Sequence, residues 1–271
     1  MLWLLCACDL LGEAPIGFEL APVELGEARA ASSGLDLADG DAAGAALSAV
    51  MPGWEAGGQP FWDVPAAIWE IALHERVAEE GVCPFVTLDG ADATYQSDCR
   101  SKHGYEWAGT AKVTRSDDDG VERERWDFDL EVTADVEAPR FERLSLRGAV
   151  ARADDGDLSH VDVNLQAELL GYFEARGVED ARTTTWSDWQ ASGSVEQEGE
   201  AFRLSLAAEV AGSGGFTLAG EELAAAESCP VEPTGEASLN GEDSAAFEGA
   251  GGCDACATLS HAGSTTSACA P

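Results

Sequence analysis

The sequence predicts a mainly β protein: a long-stranded antiparallel meander, either a curved sheet or barrel-like, with one packed helix at about residues 64–80. Three observations carry this. Apolar and polar residues alternate over long runs between Tyr105 and Ala211, the period of a strand with one dry and one wet face. The runs are separated by turn-forming clusters rich in Asp and Gly. One earlier segment, by contrast, is apolar around most of a helical circumference.

The helix comes first in the chain. Between Val64 and Glu80, the apolar residues Ile68, Trp69, Ile71, Ala72, Leu73 and Val77 leave little polar surface. Asp63 is placed to cap it, Pro65 falls in its first turn, and Gly81 is placed to end it. In the first alternating run Tyr105, Trp107, Ala111 and Val113 face one way and Glu106, Thr110, Lys112 and Thr114 the other. In the second, Trp126, Phe128, Leu130 and Val132 alternate with Arg125, Asp127, Asp129 and Glu131. The third sets Val161, Val163, Leu165 and Leu169 against His160, Asp162, Asn164, Gln166 and Glu168, and the fourth sets Phe202, Leu204, Leu206 and Val210 against Arg203, Ser205 and Glu209. One-sided burial of this kind belongs to antiparallel sheets. Asp117-Asp118-Asp119-Gly120, Ala138-Pro139, Asp154-Asp155-Gly156-Asp157 and Glu198-Gly199 supply the connections of a meander. Strands this long must curl or be covered, and the helix is the expected cover. Residues 211–227, rich in Gly, Ala and Glu, read as loop, followed by a Cys-rich segment 229–271 with short strands near 236–239 and 244–247.

Composition excludes whole classes of partner. The chain carries 51 Asp+Glu against 15 Lys+Arg, a formal charge of −36, with Lys102 and Lys112 as its two lysines. Nucleic-acid binding and polybasic membrane contact both need clustered cations. The charge itself suits solubility. No stretch approaches the roughly 20 apolar residues that a spanning helix needs.

The N-terminus reads Met-Leu-Trp-Leu-Leu-Cys-Ala and then Cys8, an apolar start ending in small residues, as in a secretory signal. The run is short and lacks a preceding Lys or Arg, which points to a start codon further upstream. Leu5-Cys6-Ala7-Cys8 resembles the lipobox of bacterial lipoproteins. The C-terminal residues Cys229-Pro230, Glu232-Pro233-Thr234-Gly235, Cys253-Asp254-Ala255-Cys256 and Cys269 are similar to a recurring pattern of uncharacterised exported lipoproteins of Gram-negative bacteria. The resemblance implies a signal peptide over residues 1–7, a diacylglyceryl thioether on Cys8, and a chain held in the cell envelope, facing the outer membrane or periplasm. Residues 8–60 then read as lipid attachment and flexible tether, with a short helix at Ala42–Met51 stopped by Pro52-Gly53, and residues 61–271 as a single β-rich domain.

With Cys6 removed and Cys8 acylated, six cysteines remain: Cys83, Cys99, Cys229, Cys253, Cys256 and Cys269. An even set in an exported chain reads as disulfides. Proximity pairs Cys83 with Cys99 and leaves the other four to pair among themselves, in a connectivity that sequence does not choose. The alternatives for Cys253-x-x-Cys256 are a redox pair or a zinc site, but the first wants a helix start in a βαβ setting and the second wants reduced thiols.

Catalytic constellations are searched for with little return. His74 lacks the second His of a helical zinc site, His160 sits on the polar face of its run and is expected in solvent, and Ser260-His261 would point to opposite faces of a strand. His103 has no partner motif. The Asp clusters read as turns in preference to Ca²⁺ loops. Trp107, Trp126, Trp186 and Trp189 either fill the core or line a pocket for an apolar ligand. The expected function is therefore that of a membrane-anchored, non-enzymatic envelope lipoprotein without cofactor, catalytic residues or metal. The alternative is a binder or carrier of an apolar ligand in the sheet's concavity. A hydrolase built on paired carboxylates ranks third.

Overall fold

The computed structural model describes residues 34–54, 59–75, 82–137, 139–173, 183–210, 212–226, 229–249 and 251–271. Among the described residues two helices, α1 (Gly40–Ser48) and α2 (Pro60–His74), precede fourteen strands. The first three are β1 (Phe85–Asp89), β2 (Asp92–Gln96) and the short β3 (Cys99–Arg100). The long central strands are β4 (Tyr105–Asp118), β5 (Val121–Ala134), β6 (Arg143–Asp154), β7 (Leu158–Phe173) and β8 (Thr183–Glu198). The chain closes with β9 (Ala201–Glu209), β10 (Gly215–Ala226), β11 (Cys229–Leu239), β12 (Asp243–Glu248), β13 (Cys256–His261) and β14 (Ser264–Cys269). They form one open antiparallel meander in near-sequential order, β1-β2-β4-β5 through to β14, with β3 paired to the end of β4.

The four alternating runs are β4, β5, β7 and β9. Their register puts Val113 opposite Trp126, Trp126 opposite Val150 and Val150 opposite Val163, so the apolar positions of neighbouring strands share one inner face. The β4–β5 turn is Asp119-Gly120, both with positive φ (56° and 82°), the geometry that two-residue hairpins favour and that Gly tolerates. The outward positions Asp129, Arg147 and Arg203 are exposed, so the outer face is wet.

Several expectations need correction. Residues 215–226, read as loop, are a strand; their alternation is broken by a register shift between Gly220 and Leu223. Strand β6 escapes the alternating pattern because its outward Ala149, Ala151 and Ala153 are buried along with the inward Leu144, Leu146 and Val150. Helix α2 begins at Pro60, with Gln59 as N-cap. Asp63 does not cap as expected: its Oδ2 accepts the Gln59 N–H at 2.6 Å, back across the first turn. The expected continuation to residue 80 lies outside the described residues.

The largest correction concerns the tether. Residues 34–54 belong to the fold. Leu35, Leu37, Leu47, Val50, Met51 and Trp54 are buried, Leu35 N–H donates to the Gly215 carbonyl, and Trp54 meets Phe247 edge-on at 5.1 Å. The helix in this segment is capped by Asp39, whose carboxylate accepts the Ala42 N–H. The segment looks like a linker because its residues are small, and the packing requires them to be small. A Cβ on Gly40 or Gly44 would collide with the carbonyl oxygens of Ser267 and Cys269. The N–H of Ala270 bonds Ala255, so even-numbered residues of β14 face β13 and the carbonyls of 267 and 269 face away from it. Helix α1 therefore covers the free edge of β14.

Gly44→Val is expected to cost about 1–3 kcal/mol through overpacking against that edge, whereas Ala45→Val, at an exposed position of the same helix, should cost no more than about 0.5 kcal/mol. Urea denaturation of the two variants checks the difference.

Candidate functional site

The inner face holds Trp107, Trp126 and Trp189 of the sequence's candidate tryptophans, and the helices occupy it. Trp126 meets Trp62 of α2 with ring centroids 4.6 Å apart and planes inclined at 45°, and Trp69 meets Tyr95 at 4.8 Å and Phe128 at 5.7 Å. Trp189, on β8, is buried and its Nε1–H donates to the Ala49 carbonyl just after α1. Trp107 is also buried, and its Nε1 has no hydrogen-bond partner among the described residues. Trp186 stands opposite Leu169 in the β7–β8 register, and its side chain lies outside the described residues. Trp107, Trp126 and Trp189 are thus spread across the sheet and spend their surfaces on packing.

The hairpins β4–β5–β6 run past the N-terminus of α2, leaving one corner of the inner face uncovered. A hollow of about 610 Å³ opens there, lined by Arg115, Asp117, Glu122, Glu124, Arg152 and Asp154 among others. Glu124 organises it. One carboxylate oxygen accepts from Arg115 Nε at 3.0 Å, from Arg115 Nη2 at 2.6 Å and from Trp126 Nε1 at 2.8 Å. The other accepts from Arg152 Nη2 at 3.4 Å, and the Arg152 guanidinium lies 4.5 Å over the Trp62 ring. Two cations are thus fixed around one carboxylate and one aromatic face, each about half exposed to the hollow. Sequence reasoning did not single out these residues, because Arg115, Glu124 and Arg152 meet only through the cross-strand register.

The histidines separate. His74 is exposed and its Nδ1 meets the Glu70 carbonyl; His261 pairs with Asp243 at 2.9 Å. His103 pairs with Glu75, a buried carboxylate at the C-terminus of α2 that Arg140 also approaches at 3.8 Å. Arg140 Nη2 reaches the Tyr172 hydroxyl, and the Arg140 backbone N–H donates to the Tyr105 hydroxyl, tying that helix end to the sheet. His160 corrects the expectation of solvent exposure: it lies on the outer face yet is 7% exposed. It stands beside the small Ala153 of β6 and is flanked by Asp162 at 2.8 Å on Nε2 and Glu196 at 3.1 Å on Nδ1. Glu196 also accepts from Arg203. The hydrogen bond to Asp162 and the charges of Asp162 and Glu196 hold the His160 pKa above its ordinary value, against the opposing effect of burial.

Cys6 and the expected lipid site Cys8 lie outside the described residues; the six described cysteines pair as Cys83–Cys99, Cys229–Cys253 and Cys256–Cys269. Cys253 and Cys256 bond to different partners, so the C-x-x-C spacing is no redox pair or zinc half-site. Glu232, 1% exposed, positions this region: it accepts the backbone N–H groups of Glu248 at 2.7 Å and Asp254 at 3.0 Å. Its carboxylate thereby holds the loop that carries Cys253 against β11. Of the Asp clusters, Asp155 accepts from the N–H groups of Leu158 and Asp157, which lower its pKa; that is turn chemistry. Among the described residues no His, Cys, Asp and Glu side chains gather as a metal site.

Comparison with protein-family models, with curated proteins and with solved structures finds no match to this chain. The reading of the site therefore rests on its geometry. Three disulfides place the folded chain in an oxidising environment, and no described helix is long and apolar enough to cross a membrane.

Two outcomes follow. A raised folded-state pKa means that the His160 contribution is fully present below the unfolded value of about 6.5 and is lost as pH rises through the folded value. Stability of the native chain relative to His160→Gln should fall over that window, and the His160 ring should titrate above 6.5 by NMR. Glu232→Ala leaves two backbone N–H groups without their acceptor and should cost about 1–3 kcal/mol, read from the denaturation midpoint.

Proposed function

We propose that this chain is an exported lipoprotein, anchored through a diacylglyceryl group on Cys8, that serves a non-enzymatic role at the cell envelope. The observation that best supports this reading is the filled inner face. The aromatic residues of the sheet pack against α1 and α2, and the disulfides close Cys83–Cys99 near one end of the meander and the four C-terminal cysteines at the other. A sheet built this way is a durable scaffold for an oxidising compartment. Its charge of −36 keeps it soluble at the end of an anchor. Two acyl chains hold a protein at a membrane where one does so only marginally.

Intact mass of the protein from its native membranes, without reductant, tests this. The expected mass starts at Cys8, carries the diacylglyceryl group and lacks the hydrogens lost to three disulfides. A mass that retains residues 1–7 with an unmodified Cys8 would refute the anchor.

A further inference from the structure

The two edges of the sheet are treated differently. Helix α1 seats Gly40 and Gly44 on the outward carbonyls of β14, so that edge is closed. At the other end, β1 pairs with β2 and, among the described residues, with no other strand. Such an edge offers a row of backbone donors and acceptors, and soluble proteins usually guard it with Lys, Pro, a bulge or a covering element. Strand β1 reads Phe-Val-Thr-Leu-Asp and pairs in unbroken register from Phe85–Gln96 to Asp89–Asp92. Its Phe85 and Leu88 are 57% and 72% exposed, the most exposed large apolar side chains among the described residues. The register places Leu88 beside Ala93, on the inner face, and Phe85 beside Gln96, on the outer face, so each face of the edge carries one large exposed apolar side chain.

We propose that β1 is a docking edge that takes an extended, basic segment of a partner protein as an added strand. Backbone pairing along β1 supplies the affinity, and Phe85 and Leu88 cover alternate side chains of the incoming segment. Charge selects the occupant. A second copy would bring another −36 to the same edge, whereas a segment carrying Lys or Arg meets Asp89 and Asp92 at the end of the strand. The five-residue length suits a short segment and limits sheet-to-sheet stacking. The inference does not depend on the lipid anchor.

The test uses the full chain, hydrogen exchange read by mass spectrometry, and two short synthetic peptides, one alternating lysine with valine and one alternating glutamate with valine. The lysine peptide should slow exchange of the amides of residues 85–89, with an affinity that falls as salt is added. Leu88→Lys should weaken it roughly tenfold with an unchanged melting temperature, since the side chain is exposed. No protection of these amides at millimolar lysine peptide would overturn the proposal, as would equal protection by the glutamate peptide. A dimer in sedimentation that Leu88→Lys abolishes would instead assign the edge to a second copy and overturn it too.

Discussion

A sheet whose strands alternate strictly has one face that must leave water, and that constraint organises the whole molecule. The inner face runs from Ala93 and Val113 through Val150 and Val163 to Leu218 and Leu259, all buried. A flat sheet cannot hide such a surface from solvent, and burial is worth about 25 cal/mol per Å² of apolar area. Helix α2 covers the strands around β4–β7 with Phe61, Trp62, Ile68 and Trp69, while residues 35–54 cover the C-terminal half with Leu47, Met51 and Trp54. One corner is left uncovered among the described residues, where the inward positions turn polar at Arg115, Glu124 and Arg152.

Local devices then hold the covers in place. Glu75 and Arg140 bind the end of α2 to the tyrosines of the sheet. Trp54 and Trp189 donate their indole N–H groups to the carbonyls of Ala255 and Ala49, which joins the helix segments to the sheet. Glu232 converts a loop of small residues into a fixed position for Cys253. A buried carboxylate is tolerated there because backbone donors replace its water. The same logic, with two guanidinium groups and an indole as donors, lets Glu124 sit at 15% side-chain exposure.

The long strands were legible where burial was one-sided. Strands β4, β5, β7 and β9 declare themselves through alternation, and the Asp-Gly turn at 119–120 declares its hairpin. Legibility failed where the physical rule was locally broken. In β6 the outward Ala149, Ala151 and Ala153 are themselves buried, so the alternation of polar and apolar residues is lost along that stretch although Arg147 stays exposed. A bulge shifts the phase of β10. The β13–β14 hairpin turns on Ala262-Gly263 with Ala262 at a φ of 49°, a conformation that an alanine does not advertise. The site was harder still: Arg115, Glu124 and Arg152 lie on three strands, and His160 looks exposed until Asp162, Glu196 and Ala153 are placed around it.

The sequence by itself determined the mainly β class, the antiparallel meander, the helix against it, the local Cys83–Cys99 bridge and the confinement of the other four cysteines to one another, because period, turn chemistry and short spacing are local properties. Only the tertiary structure decided that residues 34–54 belong to the core, that Cys253 and Cys256 take different partners, that one sheet edge is closed and the other open among the described residues, and that the uncovered corner is charged. Each of these depends on which residues meet across distant strands, and contact between residues far apart in the chain is set by register and packing, which no local pattern encodes.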